Sequence, residues 1–205
     1  MLLGIDVSNN QGAIDWASVS INTPSFCYVK ATEGLTYQDP FYTLNVDGAK
    51  LAGIPCGSYH MFHPSDSATA QADYFLAQAQ AANILAGDLL PALDLEFVKE
   101  WSGISPDDSR SLILEWLTYV EGQTLVKPIV YMGPNFFNEV LAGQAGPLDQ
   151  YKLWLANYSN TASNLNGWTN WTFWQFSQTG KFPGIQNCVD LNYFNGDALD
   201  VVLLP

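Results

Sequence analysis

Acidic side chains stand at or near the ends of several short apolar runs in this sequence. They are Asp6, Asp94, Glu96 and Asp190. Because side chains alternate along a strand, Asp94 and Glu96 point to the same face, with Cα atoms ~6–7 Å apart. Glycosidases use such carboxylates: one protonates the leaving oxygen, and another stabilises or attacks the sugar cation or activates water. Crowding raises the pKa of one carboxyl, which keeps an acid protonated near neutral pH.

The spacing of Asp94 and Glu96 is also compatible with a structural ion pair or a metal site. The two groups could form an ion pair with Lys30 or Lys99, or they could hold a divalent metal ion. His60 and His63 could join Asp94 as metal ligands, but two histidines three residues apart on a strand and its exit loop face opposite sides. Neither Gly-x-Ser-x-Gly nor a phosphate-binding loop is present, which argues against a seryl hydrolase and a nucleotide-binding enzyme.

Strand and helix signals alternate along most of the chain. The runs that predict strands are Leu2–Val7, Phe26–Ala31, Gly57–Phe62, Leu89–Glu96, Pro128–Met132, Lys152–Asn157, Thr172–Phe176 and Cys188–Tyr193. The segments that predict helices are 40–52, 66–86 with Gly87 as C-cap, 106–121 and 134–142. Beyond residue 157 the gaps between strands carry no helical stripe. The pattern predicts an α/β protein, a single TIM-like barrel of irregular (β/α)5(β)3 type.

In such barrels the active site lies at the carboxyl ends of the strands. Polar and aromatic side chains that the predicted strands bring to that end are Asp6, Lys30, Tyr59, Asp94, Glu96, Tyr131, Trp154, Asn157, Gln175 and Asp190. Four of the seven Trp residues, Trp154, Trp168, Trp171 and Trp174, cluster in the last quarter. Such rings stack on sugar faces, but most rings in a protein fill its core.

Composition narrows the class of protein further. The chain has 205 residues, 48% of them hydrophobic, and a formal net charge of −13. These values exclude disorder, and the acidity argues against nucleic acid as a partner. No apolar run is long enough to span a membrane, so we expect no integral membrane segment. Of the three cysteines, we expect Cys27 and Cys56 to be buried structural thiols.

The ordered motifs of the chain resemble those of glycoside hydrolase family 25, the Chalaropsis-type lysozymes or N-acetylmuramidases. The matching segments are Gly4-Ile5-Asp6-Val7-Ser8, Gln11-Gly12, Ile14-Asp15-Trp16, Val29-Lys30-Ala31-Thr32-Glu33-Gly34, Gly57-Ser58-Tyr59-His60, Leu93-Asp94-Leu95-Glu96, Leu153-Trp154-Leu155-Ala156-Asn157-Tyr158, Trp174-Gln175-Phe176-Ser177 and Val189-Asp190-Leu191-Asn192. Each motif is modest, but their order covers essentially the whole chain. We therefore expect residues 1–205 to form one catalytic domain without a separate cell-wall-binding domain.

The resemblance implies hydrolysis of the β-1,4 bond between N-acetylmuramic acid and N-acetylglucosamine in peptidoglycan. It implies that Glu96 is the general acid and that Asp94 either orients the acetamido group or stabilises the transition state. Asp6 and Asp190 are expected to raise the pKa of the acid or to bind substrate. Whether the acetamido group or a carboxylate is the nucleophile stays open, as does the stereochemical outcome.

The resemblance also implies a groove that binds the substrate. The groove residues implied are Tyr59, Tyr131, Trp154, Gln175, Lys30 and Glu33, with Lys30 paired to a carboxylate. Met61 and Met132 depart from the residues common in relatives and could adjust substrate preference. No metal or organic cofactor is expected, and the partner is the peptidoglycan glycan strand.

The remaining expectations concern oligomeric state and biological role. We expect a monomer. The first residues do not resemble a secretion signal, which suits a phage or bacterial lysis enzyme made in the host cytoplasm, or an extracellular protein whose signal was removed. A binding or virion-structural module on the same barrel is the alternative, although such a module does not need four carboxylates.

Overall fold

The structure, a computed structural model, describes residues 1–84 and 86–205. Its strands are β1 (Leu2–Val7), β2 (Cys27–Glu33), β3 (Tyr37–Gln38), β4 (Cys56–Met61), β5 (Ala92–Leu95), β6 (Ile129–Met132), β7 (Lys152–Ala156), β8 (Phe173–Gly180) and β9 (Val189–Phe194). Its α-helices are α1 (Trp16–Ile21), α2 (Tyr42–Leu51), α3 (Ala68–Ala81), α4 (Pro106–Thr124) and α5 (Pro134–Glu139).

Eight of the strands close into a barrel. Their order around the ring is β1-β9-β8-β7-β6-β5-β4-β2, and pairing of β2 with β1 closes it. Helices α1 to α5 follow β1, the β2–β3 pair, β4, β5 and β6 in turn, whereas loops join β7, β8 and β9. The predicted α/β barrel is confirmed. The short strand β3 was not predicted. Strand β2 extends to Glu33, beyond the predicted end at Ala31, because Thr32 and Glu33 pair with both β3 and β4.

One strand of the barrel runs against the others. Strand β9 is antiparallel to both of its neighbours, β1 and β8. Asp190 therefore lies near the start of its strand, and the expectation that it lies at a carboxyl end was wrong. It still reaches the same rim of the barrel, because the antiparallel register pairs it directly with Asp6.

Local signals at the helix ends explain most helix boundaries. Ser105 caps α4 by accepting a hydrogen bond from the Asp108 amide, and Pro106 occupies the first turn. Helix α3 is shorter than the predicted segment 66–86, because it ends at Ala81 and is capped by Ala82 rather than Gly87. That segment includes Leu85, which lies outside the described residues. The unpredicted helix α1 begins after Asp15, whose side chain caps it.

Two apolar layers stabilise the barrel, one outside it and one inside it. Outside it, the helices pack on the strands; the inner stripe of α4, which includes Ile113, Trp116 and Leu117, is fully buried. Inside it, aromatic rings such as Phe26 and Phe173, whose centroids lie 4.9 Å apart, fill the end opposite the carboxylates. As predicted, Cys27 and Cys56 are buried. Among the described residues, no helix is both long and apolar enough to cross a membrane.

Candidate active site

The barrel interior changes from apolar to polar along its strands. On β2 the inward side chains are Tyr28 and then Lys30, and on β5 they are Ala92 and then Asp94. This change follows from strand alternation, because residues two apart share a face. Glu96 comes directly after β5 and continues the same inward face. The prediction that Asp94 and Glu96 face the same way is confirmed.

A cavity opens at this end of the barrel. Its lining residues are Asp6, Ser8, Asn10, Lys30, Tyr59, Met61, Asp94, Glu96, Tyr131, Trp154, Tyr158, Gln175, Gln178 and Asp190. The structure thus brings together all the predicted site residues but one. Glu33 is not among the lining residues, because its carboxylate turns to Lys30 and to His63.

A chain of hydrogen bonds centred on Gln175 orders the cavity floor. The Oε1 atom of Gln175 accepts hydrogen bonds from the Tyr131 hydroxyl at 2.8 Å and the Tyr158 hydroxyl at 2.7 Å. Its Nε2 atom donates to Asp6 Oδ2 at 2.9 Å. Because both ends of the amide are engaged, its orientation is determined by its neighbours. Gln175 therefore couples two tyrosines of the cavity wall to a carboxylate.

Asn192 is a second amide that supports Asp6. It is fully buried, and its Nδ2 atom donates to Asp6 Oδ2 at 2.7 Å. Its Oδ1 atom accepts a hydrogen bond from the indole nitrogen of Trp154 at 2.8 Å. Trp154 is itself buried against the rings of Tyr28 and Tyr131. The indole ring is therefore held in place as part of the cavity floor.

Asp6 and Asp190 are directly paired across β1 and β9, which brings their carboxyl groups close together. Two such groups can be buried side by side when one of them carries a proton. Burial, followed by the charge of Asp6, raises the pKa of Asp190 to about 9. Burial also raises the pKa of Asp6, although its bonds to Asn192 and Gln175 oppose this change. With a pKa of about 9, Asp190 is the member of the pair that keeps its proton at neutral pH.

Asp94 and Glu96 both bind protons more tightly than ordinary carboxyls. Burial raises the pKa of Asp94 well above its usual value; the charge of Glu96 adds to the effect, and that of Lys30 opposes it. Burial also raises the pKa of Glu96, and the nearby Tyr131 side chain opposes this change. The Oδ1 atom of Asp94 is buried without a hydrogen-bond partner among the residues the structure describes.

Lys30 starts a line of charged groups that leads away from the cavity. Its Nζ atom lies 2.6 Å from Glu33 Oε2, so the predicted pairing of Lys30 with a carboxylate is present. The other oxygen of Glu33 lies 3.0 Å from His63 Nε2, and His63 Nδ1 lies 2.6 Å from Glu100. Burial lowers the pKa of His63, but the bonds to Glu100 and Glu33 outweigh it and leave the pKa raised.

The two histidines do not converge on Asp94. His60 is buried between the barrel and the helices, where its ring stacks on Trp116 at 5.8 Å and contacts Thr32 and Gln71. Burial lowers the pKa of His60 to about 4, so the ring is neutral. In the described part of the chain, no group of three or more His, Cys, Asp and Glu side chains is arranged to hold a metal ion.

The aromatic cluster of the last quarter divides between the two sides of the barrel. Trp154 lines the cavity, whereas Trp174 packs outside, with its indole nitrogen donating to the Asn157 carbonyl at 2.7 Å. Tyr158 and Asn192 were not predicted as site residues. Both lie in motifs that match glycoside hydrolase family 25, Asn157-Tyr158 and Asp190-Leu191-Asn192. These motifs were the sequence signals that could have identified the two residues.

A closed α/β barrel with a cluster of carboxylates at one rim is the arrangement of a glycoside hydrolase. Comparisons with known proteins narrow this class. The family model described as "Glycosyl hydrolases family 25" matches residues 5–185. The chain is 34% identical over 206 residues to "Lysozyme M1" of Streptomyces globisporus, covering 98% of this chain and 70% of that protein. It is 37% identical over 198 residues to "Uncharacterized protein YegX" of Escherichia coli K12, covering 94% and 69%.

Solved structures agree with the sequence comparisons. The bacterial lysozyme from Streptomyces coelicolor superimposes with a TM-score of 0.90 at 34% identity, covering 97% of this chain and 94% of that one. A family GH25 lysozyme from Aspergillus fumigatus gives a TM-score of 0.86 at 27% identity, covering 98% and 96%. The chain belongs to glycosyl hydrolase family 25. It is therefore a glycoside hydrolase of the lysozyme type, as the resemblance implied.

Proposed function

We propose that the chain is an N-acetylmuramidase that cleaves the β-1,4 bond between N-acetylmuramic acid and N-acetylglucosamine in peptidoglycan. One observation carries the proposal: four carboxyl groups with raised pKa line a single cavity at the rim of a barrel of this family. A module that only binds glycan gains nothing from placing four carboxyl groups so close together, because their repulsion and burial destabilise the fold.

Glu96 acts as the general acid. It stands at the mouth of the cavity, where it is accessible to a substrate, and its pKa is raised above the ordinary value. Its proton passes to the glycosidic oxygen while the bond from that oxygen to C1 breaks, so that the departing chain leaves as a neutral alcohol. Water finally supplies the hydroxyl group at C1 and returns a proton to Glu96.

Asp94 acts on the sugar that becomes cationic. Its buried Oδ1 atom has no hydrogen-bond partner among the described residues, so it can accept one from the acetamido N–H of the substrate. In its ionised form the same carboxylate stabilises positive charge at C1. Lys30 favours that ionised form by lowering the pKa of Asp94.

Asp6 and Asp190 set the electrostatics of the cavity. Repulsion from Asp6 contributes to the raised pKa of Glu96. Gln175 and Asn192 position Asp6, and the hydrogen bond to Gln175 holds the Tyr131 hydroxyl beside it. We infer that Tyr59, Tyr131, Trp154 and Gln175 form the wall against which the sugar packs, with Lys30 and Glu33 supporting its edge.

We propose that residues 1–205 form one catalytic domain, that the protein is a monomer, and that it works in phage or bacterial lysis. Proteins similar in sequence include an autolytic lysozyme of Clostridium acetobutylicum, which supports a role in wall breakdown. No cofactor is part of this proposal.

Digestion of purified peptidoglycan tests the activity. The soluble products are reduced with borohydride and identified by mass spectrometry. A muramidase yields muropeptides that end in reduced muramic acid. Products that end in reduced glucosamine would indicate a glucosaminidase instead, and wall binding without products would favour a binding module.

A further inference from the structure

His63 lies at the carboxylate rim of the barrel, where three neighbouring strands end. Glu33 is the last residue of β2, His63 comes soon after β4, and Glu100 follows β5. These strands are neighbours in the sheet, with β4 between β2 and β5. The His63 ring lies between the two acids, with Nε2 3.0 Å from Glu33 and Nδ1 2.6 Å from Glu100. His63 does not line the carboxylate cavity, so any part it takes in the reaction must act through other residues.

The two hydrogen bonds of the ring determine its charge. A neutral imidazole donates from one nitrogen only, whereas both partners of this ring are carboxylates, which accept. Both ring nitrogens therefore carry protons, and the ring is a cation. Burial lowers the pKa of His63, but the bonds to Glu100 and Glu33 leave it raised, in agreement with a charged ring. The other titratable groups near the ring are Lys30 on β2, His60 on β4 and Asp66 in the loop after β4.

The ring is also fixed by contacts on two further sides. Its face stacks on Phe97, with ring centroids 5.6 Å apart and planes inclined by 17°. The His63 backbone N–H donates to Gln71 Oε1 at 3.0 Å, and the His63 carbonyl accepts from Gln71 Nε2 at 2.9 Å. Gln71 is fully buried on α3. Because Phe97 directly follows Glu96, the His63 ring packs against the segment that carries the general acid.

Glu33 connects His63 to Lys30. Its Oε1 atom lies against the His63 ring, and its Oε2 atom lies 2.6 Å from the Lys30 ammonium. A carboxylate bound at both oxygens cannot rotate without breaking a bond, so His63 fixes the oxygen that Lys30 contacts. Lys30 Nζ also lies 3.6 Å from Met61 Sδ, and Lys30 is buried. Lys30 is in turn the positive group that opposes the effect of burial on the pKa of Asp94.

We propose that His63 is a positioning residue of the active site, which holds Glu33 and through it keeps the Lys30 ammonium in place within the carboxylate cavity. This role rests on the proposed function, because it serves a reaction in which Asp94 stabilises positive charge. While His63 is charged, it balances one of the two acids beside it, and Lys30 balances the other. When His63 loses its proton, one negative charge is in excess. The charge of Glu33 then adds more strongly to the effect of burial, which raises the pKa of Asp94.

Kinetics with His63→Gln test the role. Glutamine can still donate a hydrogen bond to Glu33, but it carries no charge. Below the pKa of His63 we expect kcat on soluble glycan strands to fall about 3- to 10-fold, the effect of one weakened hydrogen bond. KM should stay unchanged, because no contact with substrate is lost. Above that pKa the difference should shrink, because the wild-type ring is then neutral as well.

A matched control separates this effect from a general change of charge. Lys99→Met removes an exposed positive charge next to Glu100, and this variant should match the wild type at every pH. A His63→Gln profile of kcat against pH that runs parallel to the wild-type profile, at whatever level, would overturn the proposal, because a purely structural role lowers activity equally at all pH values.

Chemical rescue tests whether both ring nitrogens are needed. His63→Ala leaves a space for free imidazole, and protonated imidazole can donate to Glu33 and Glu100 together. Imidazole should therefore restore kcat of this variant. Protonated 1-methylimidazole has a single N–H and should restore much less. Equal restoration by the two compounds, or none by either, would overturn the proposal.

The Lys30 ammonium reports the connection to His63 without turnover. Its ¹⁵Nζ signal is followed by NMR through a pH titration. In the wild type this signal should show an inflection at the pKa of His63, and the inflection should be absent from His63→Gln. A wild-type Lys30 signal that does not respond to His63 would overturn the proposal. A chain that shows the inflection but releases no muropeptides would support the connection and refute the proposed muramidase activity alone.

Discussion

Replacing Asp190 by Asn should make the protein more stable at neutral and alkaline pH. Burial and the charge of Asp6 raise the pKa of Asp190 to about 9, so this carboxyl keeps its proton at neutral pH. An Asn side chain has nearly the same size, and its amide N–H can donate to Asp6 as the protonated carboxyl does. The substitution therefore keeps the contact and removes one titrating group.

The magnitude follows from proton linkage. An unfolded Asp has a pKa of about 3.9. Between that value and about 9, the folded protein keeps a proton that the unfolded chain has released. Stability therefore falls as the pH rises, by up to about 1.4 kcal/mol per pH unit, or about 4 kcal/mol from pH 5 to pH 8. Because Asp6 and Glu96 titrate together with Asp190 and share this change, we expect about 2–4 kcal/mol.

Urea unfolding at pH 5, 6, 7 and 8 measures this effect. The wild type should lose stability across the series, whereas Asp190→Asn should lose much less and should exceed the wild type at pH 8. Asp47→Asn, at an exposed position of α2, is the matched control and should run parallel to the wild type. If the Asp190→Asn and wild-type curves also ran parallel, the raised pKa of Asp190 would be refuted.

Three further predictions concern charge. The net charge of −13 should repel anionic cell walls, so lysis of whole walls should increase from low to moderate ionic strength, and a steady decrease would contradict this. Lys30→Met should raise the pKa of Asp94 and move the pH optimum of kcat/KM upward by about one unit; an unchanged optimum in the pH–rate profile would argue against it. Because the raised pKa of His63 stabilises the fold only below that pKa, His63→Ala should cost about 1 kcal/mol at pH 5 and less at pH 9. Urea unfolding at the two pH values checks this, and an equal loss at both would contradict it.

Local sequence signals predicted those parts of the fold that depend on neighbouring residues. Helix α4 begins where Ser105 and Pro106 place it, because capping and proline act within one turn. Helix α1 was missed because it is a single short segment, six residues long, without a clear apolar stripe. The direction of β9 was also missed, because strand alternation is the same whichever way a strand runs.

The candidate site also combines features that local sequence predicts with features that depend on residues far apart in the chain. Alternation within one strand was enough to predict that Asp94 and Glu96 share a face. The hydrogen bonds that position Asp6 come from Gln175 and Asn192, which are 169 and 186 residues away in sequence. No local pattern connects residues so far apart, and the proximity of Asp6 to Asp190 depends on the register between β1 and β9. These features required the three-dimensional structure.

The central claim is that Glu96 supplies the proton that cleaves the glycan. The most direct test compares Glu96→Gln with the wild type on purified peptidoglycan, with Glu115→Gln on the exposed face of α4 as the control. Release of muropeptides ending in reduced muramic acid is measured by mass spectrometry. We expect normal release by the wild type and by Glu115→Gln, and a loss of at least about 100-fold for Glu96→Gln at unchanged stability. Equal release by Glu96→Gln and the wild type would contradict it.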